Sequence, residues 1–135
     1  MKTIFILFVI ILTSGCKEDE LRKRFDGFRN AVQIDEENIF IIPWDQCDSC
    51  HEDFVRMALK GLKMQDTKVV IVSRREKNVS SQIEEIHFRR IFIDKNRDAY
   101  IYQLLNNVPI LYYQHENEGL KFIQVYNSNQ ITQHD

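Results

Sequence analysis

Glycine, proline and cysteine are all scarce in this chain of 135 residues, at 4, 2 and 3. So little glycine and proline excludes collagen-like and low-complexity sequence. Three cysteines are too few for a disulfide-stapled mini-fold, and the number is odd. There is no excess of positive charge. Lys+Arg is 18 against 20 Asp+Glu, a formal net charge of -2. That removes the main argument for a nucleic-acid binder, whose affinity would rest on a basic surface. No apolar run reaches the ~20 residues needed to span a bilayer. No internal repeat, phosphate-cradling loop, nucleophilic-serine motif or pair of catalytic carboxylates is visible. What is present is 44% hydrophobic, 11% aromatic and 28% charged residues, a globular profile at the length of one domain.

The N-terminus stands apart. Met1-Lys2 is a short positive start, and Ile4 to Leu12 is unbroken apolar sequence. The run suits a signal-peptide core. It ends in Thr13-Ser14-Gly15-Cys16, small residues directly before a cysteine. This resembles the lipobox of bacterial lipoproteins, which implies cleavage before Cys16 and acylation of its thiol. Two or three acyl chains anchor stably, since each buried methylene contributes about 0.8 kcal/mol. Lys17-Glu18-Asp19 is similar to the signal that sends some Gram-negative lipoproteins to the cell surface, and equally suits a solvated tether.

Beyond it, Leu21, Phe25, Phe28 and Val32 are spaced as one face of an amphipathic helix. Such a helix packs on the domain or spaces it from the membrane. Ile39 to Ile42, ended by Pro43, reads as a strand buried on both faces. Trp44-Asp45-Gln46 reads as a loop, and Cys47 opens a helix with Phe54, Val55, Ala58, Leu59 and Leu62 on one stripe. Lys68 to Val72 is a second buried strand and Arg74 to Asn78 a charged loop. Ser81-x-x-Glu84 reads as a capping box starting a helix with Ile83 and Ile86. Ile91 to Ile93 is a third strand, and Tyr100 to Leu105 a short helix. Ile110 to Tyr113 and Lys121 to Tyr126 form a hairpin around Gln114 to Gly119. Alternating early elements imply parallel pairing and the hairpin an antiparallel edge. The expected fold is α/β, a small mixed sheet with helices on both faces.

Cys47-x-x-Cys50 is the strong chemical signal. Two cysteines three apart at a helix start bring their sulfurs within bonding reach. Free amides and the helix dipole stabilise a thiolate at the first position. Cys47 is therefore the expected nucleophile and Cys50 the resolving thiol. His51 opens a rival, because Cys-Asp-Ser-Cys-His also matches the haem c attachment motif. A strand directly before that motif, and no clear Met ligand later, weigh against haem. Cys47, Cys50 and His51 lack a second cysteine pair to close a zinc site. A structural disulfide without turnover is the plain alternative. Asp45 and Glu52 are candidates for a proton relay or for ordinary surface positions.

The strand Ile39 to Ile42, Trp44, Cys47-Asp48-Ser49-Cys50 at a helix start, and Val108-Pro109 before a hairpin together resemble the thioredoxin superfamily. The segment Ile83 to Ile93, set between the second strand and the proline, is similar to its membrane-tethered extracytoplasmic branch. The resemblance implies a cis proline at Pro109 facing the disulfide. It implies that Val108 offers its backbone, and Trp44 its surface, to a substrate. The sequence then divides into a signal peptide over 1–15, a tether and helix over 16–37, a thioredoxin-like domain over 38–126 and a tail over 127–135. The closing C-terminal helix of the family is expected to be absent. The expected function is thiol–disulfide exchange, with Cys47, Cys50 and Pro109 catalytic and no metal or cofactor. Partners are protein thiols or disulfides of a bacterial cell envelope. Cys16 holds the chain on a membrane, the outer one expected, facing the periplasm or the surface.

Overall fold

Ile39, Phe40, Ile41 and Ile42 are each fully buried because their strand is central and covered on both sides. The computed structural model describes the backbone of residues 2–131 and the side chains of residues 17–131. The expectation at Cys16 therefore lies outside the described side chains. The elements are α1 (Lys2–Val32), β1 (Asn38–Pro43), α2 (His51–Gly61), β2 (Thr67–Val72), α3 (Glu76–Ser80), α4 (Glu85–Phe88), β3 (Phe92–Asp94), α5 (Asp98–Ile101), β4 (Ile110–His115) and β5 (Gly119–Gln124). The five strands lie in the order β3-β2-β1-β4-β5. β1, β2 and β3 are parallel, β4 runs antiparallel to β1, and β5 antiparallel to β4. The chain is thus mixed α/β. Among the described residues no helix is long and apolar enough to cross a membrane.

Side-chain alternation along the strands divides the core into two layers. Phe40, Ile42, Val69, Ile71 and Leu111 face α2, with Val79 and Ile83 beside it. Ile39, Ile41, Val70, Val72, Ile110 and Tyr112 face the other way, onto Phe25 and Phe28 of α1 and Ala99 of α5. Phe25 and Phe28 are fully buried, so the amphipathic face read from the sequence is closed by the sheet. Burying each contributes roughly 1.5–3 kcal/mol. The Tyr112 hydroxyl, deep in this layer, donates to the Leu104 carbonyl at 2.7 Å, and burial pushes its phenol up to about 12.

α2 meets the sheet closely at Gly61. A Cβ there would stand 2.8 Å from Val69 and 2.9 Å from Phe40. The buried stripe includes Met57, which the sequence reading left out, while Val55 and Leu59 are only half-buried.

Three local expectations are corrected. The charged stretch after β2 is partly helical, because α3 carries Val79 into the core. Ser81 and Glu84 form no capping box. The Ser81 amide donates to Lys77 and its hydroxyl to the Asn78 carbonyl, closing α3, while α4 starts at Glu85. The helix expected over 100–105 lies at Asp98–Ile101, because the buried Asp94 carboxylate accepts the Asp98 and Ala99 amides, each at 2.9 Å. It stops where Gln103 turns left-handed at φ 55°. In the hairpin, Gly119 takes φ 79° at the turn. After β5 the described residues hold only a 3₁₀ turn, Ser128–Gln130.

Candidate functional site

The Cys47–Cys50 pair leaves the carboxyl end of β1. Past Pro43 the chain makes a 3₁₀ turn over Trp44–Gln46. Cys47 is then extended, at φ -151° and ψ 100°, and a second 3₁₀ turn over Asp48–Cys50 runs directly into α2. The α-helix itself thus begins at His51, four residues later than the sequence reading placed it. The cause is an i to i+3 bond, in which the Cys50 amide donates to the Cys47 carbonyl at 3.2 Å. Cys47 still stands at the N-terminal end of the whole helical stretch.

The two cysteines form a disulfide with Cα atoms 5.3 Å apart. Both are half-buried and pack on the α2 side of the core. The Cys47 sulfur lies 3.6 Å from the Ser49 hydroxyl. Once the pair is reduced, that hydroxyl can donate to a Cys47 thiolate and favour it, as a hydrogen bond to the charged form does. Sequence reasoning missed this role for Ser49, since a serine in that position has many uses.

Trp44 is fully enclosed. It packs against Phe54 and, face to face, against His51, with ring centroids 4.4 Å apart and planes 13° apart. It therefore supports the disulfide loop from beneath and presents no surface to a substrate here. His51 makes two bonds. Its Nδ1 receives the Gln82 side-chain amide at 3.2 Å, and its Nε2 lies 3.2 Å from the Trp44 carbonyl. An amide nitrogen only donates, so Nδ1 accepts and Nε2 carries the proton given to Trp44. Gln82 also donates to Asn78 Oδ1 at 3.2 Å, which joins the start of α2 to α3. The imidazole is committed on both nitrogens and one face. Axial ligation of haem iron would break the bond to Trp44 and the stack. Among the described residues no group of three or more His, Cys, Asp or Glu side chains is placed to hold a metal ion.

Asp45 is a structural tie. Its carboxylate accepts the Ser73 hydroxyl at 2.8 Å and the Arg74 amide at 2.9 Å, and Arg75 stands 3.9 Å away. This fixes the loop before Cys47 to the end of β2. Glu52 pairs with Arg56 one turn along the exposed side of α2. Gln82, Asn78 and Ser73 could not be picked from the sequence, because their partners lie 28 or more residues away or their role is only to bond another side chain.

Val108 and Pro109 reach the same end of the sheet. Ile110 pairs with Ile41, so the two residues before it run alongside the carboxyl end of β1. Pro109 is buried, and its carbonyl accepts the Val125 amide at 2.8 Å. Val108 is half-buried, with its amide donated to Asn106 Oδ1 at 3.0 Å in an Asx turn. The Val108–Pro109 peptide bond is trans, against the cis bond that the resemblance implies. The bond from Asn106 holds the Val108 amide within its own loop.

No protein-family model, curated protein or solved structure matches the chain.

Proposed function

We propose that this chain is a thiol–disulfide oxidoreductase of thioredoxin-like fold, lipid-anchored through Cys16 in a bacterial cell envelope. The observation that carries the reading is the Cys47–Cys50 disulfide at the head of the helical stretch that follows the central parallel strand. The strand order, with α2 on one face and α1 on the other, is compatible with that fold.

In the reducing direction the Cys47 thiolate attacks one sulfur of a partner disulfide. The partner's other sulfur leaves as a thiolate and takes up a proton. Cys47 and the partner are then joined by a mixed disulfide. Cys50 loses its proton and attacks the Cys47 sulfur, which frees the second partner thiol and closes Cys47–Cys50. Two electrons pass from the dithiol to the partner, and the reverse sequence oxidises a partner dithiol. The Ser49 hydroxyl, 3.6 Å from the Cys47 sulfur, favours charge on Cys47 over Cys50. Asp48, between the cysteines, opposes it and moves the couple towards a less oxidising one. Pro109 and Val108 border the exchange from the neighbouring strand, and Trp44 holds the loop.

The test is trapping. With Cys16→Ser in the background, Cys50→Ser should accumulate mixed disulfides with envelope proteins that collapse under reductant, and Cys47→Ser should not. Absence of trapped partners in both, with equal alkylation of the two reduced thiols, would favour a structural disulfide instead. Separately, mass spectrometry of membrane-derived protein should find acyl chains on Cys16, and a free Cys16 thiol there would remove the anchor.

A further inference from the structure

An open groove of about 490 Å³ lies at the carboxyl ends of β2 and β3, lined by Arg74, Arg75, Glu76, Lys77, Asn78 and Lys95. Four of these six are cations and one is an anion, on a chain whose net charge is -2. Glu76 is already engaged by Lys95, and Asp45 draws Arg75 at 3.9 Å. The Arg74 and Lys77 side chains are exposed and have no polar partner among the described residues. Arg97, at the same edge, is laid over the Tyr100 ring at 4.6 Å and contributes less to the groove.

Two sets of hydrogen bonds tie the groove to the segment that carries the disulfide. Asp45, two residues before Cys47, is bonded to Ser73 and to the Arg74 amide. Asn78, in the groove wall, is bonded through Gln82 to His51, the residue after Cys50. In open α/β sheets the carboxyl ends of the parallel strands are where ligands bind. Fixed cations on a docking surface raise the encounter rate with an anionic partner and slow a cationic one.

Two kinds of anionic surface would satisfy this charge, a protein segment and a membrane. The geometry points to the protein. Glu18 lies against Gly119, Arg22 donates to Gln114 at 3.0 Å, and the Gln114 amide donates to Asn38 at 3.0 Å. The chain leading to the anchor therefore departs beside the first residue of β1. The disulfide and the groove lie beyond its last residue, about 20 Å away at the rise of a strand. We propose that the groove docks an acidic segment flanking the cysteine of the protein that exchanges disulfides with Cys47–Cys50, an inference that rests on the exchange and anchor readings above.

The test uses the full chain with Cys16→Ser, reduced, against three disulfide peptides flanked by Asp/Glu, by Gln or by Lys/Arg. The acidic peptide should react about tenfold faster than the basic one at low salt, and the gap should shrink at about 0.5 M salt. Arg74→Glu with Lys77→Glu should bring the ratio to one or below. Lys23→Glu, an exposed charge reversal on α1, should leave it high. A ratio near one in the unaltered chain overturns the inference, as does an equal fall with Lys23→Glu. Equal rates together with binding to phosphatidylglycerol vesicles that the double variant loses would overturn it and assign the groove to a membrane. No reaction with any peptide would instead overturn the exchange reading, and this inference with it.

Discussion

His51 lies flat on Trp44 and also donates its Nε2 proton to the carbonyl of the same residue, at 3.2 Å. One side chain thus fixes both the ring and the backbone of the turn that precedes Cys47. His51→Ala removes the stack and two hydrogen bonds. Each bond is worth about 1 kcal/mol net and the stack about 0.5–1.5 kcal/mol. Urea unfolding should show a loss of roughly 2.5–3.5 kcal/mol, and a change below about 0.5 kcal/mol would contradict the clamp.

The helix read as a tether is also half of a core. Phe28 is fully buried and meets Tyr102 edge-on at 6.2 Å. Phe28→Ala should cost about 3–5 kcal/mol in denaturant unfolding. A near-neutral result would mean that α1 does not pack on the sheet in solution.

Gly61→Ala sets two effects against each other. Alanine gains about 1 kcal/mol of helix propensity over glycine. Its Cβ meets Val69 and Phe40 at 2.8 and 2.9 Å, side chains that are themselves locked in the sheet. Overpacking of this kind costs about 1–3 kcal/mol. The variant should be less stable by thermal or urea unfolding, and a stabilised variant would contradict the close approach.

Asp94 supplies a pH signature. Burial raises its carboxyl above the usual 3.8, opposed by the amides of Ala99 and Asp98. The folded state then holds this proton more tightly than the unfolded chain. Its unfavourable contribution is absent below 3.8 and grows as pH rises through the folded-state value. Asp94→Asn loses one amide bond at every pH but escapes that growth. The stability difference between the variant and the unaltered chain should move in the variant's favour from about pH 3 to pH 7. A difference that is flat, or moves the other way, would contradict the raised carboxyl.

The sequence declared the sheet more clearly than the short helices, for a physical reason. Ile39 to Ile42 and Val69 to Val72 are apolar at every position because both of their faces are covered. That signal is local. α3 and α5 span 5 and 4 residues, too few for a period to emerge. Their positions are set by Val79 entering the core and by Asp94 reaching the amides of Asp98 and Ala99. Phe25 and Phe28 announced a helix face, but only the sheet shows what covers it. At the site, the cysteine pair was legible because its chemistry sits within one turn. The His51–Gln82–Asn78 link and the Asp45–Ser73 tie were not, because each joins residues that only the fold brings together. For Trp44 the sequence leaves both a packing role and a substrate surface open, and its enclosure beneath the loop, stacked on His51, is the packing role.

The central claim is that Cys47–Cys50 turns over. Its most direct test is the equilibrium reduction potential of the pair against glutathione, read by alkylation and mass in the Cys16→Ser chain. Exchanging dithiols lie between about -120 and -270 mV, whereas structural disulfides of exported proteins lie below about -300 mV. The account predicts a value in the first range, towards its reducing end because Asp48 stands between the cysteines. A value below about -300 mV would contradict it and leave the disulfide as a fixed part of the fold.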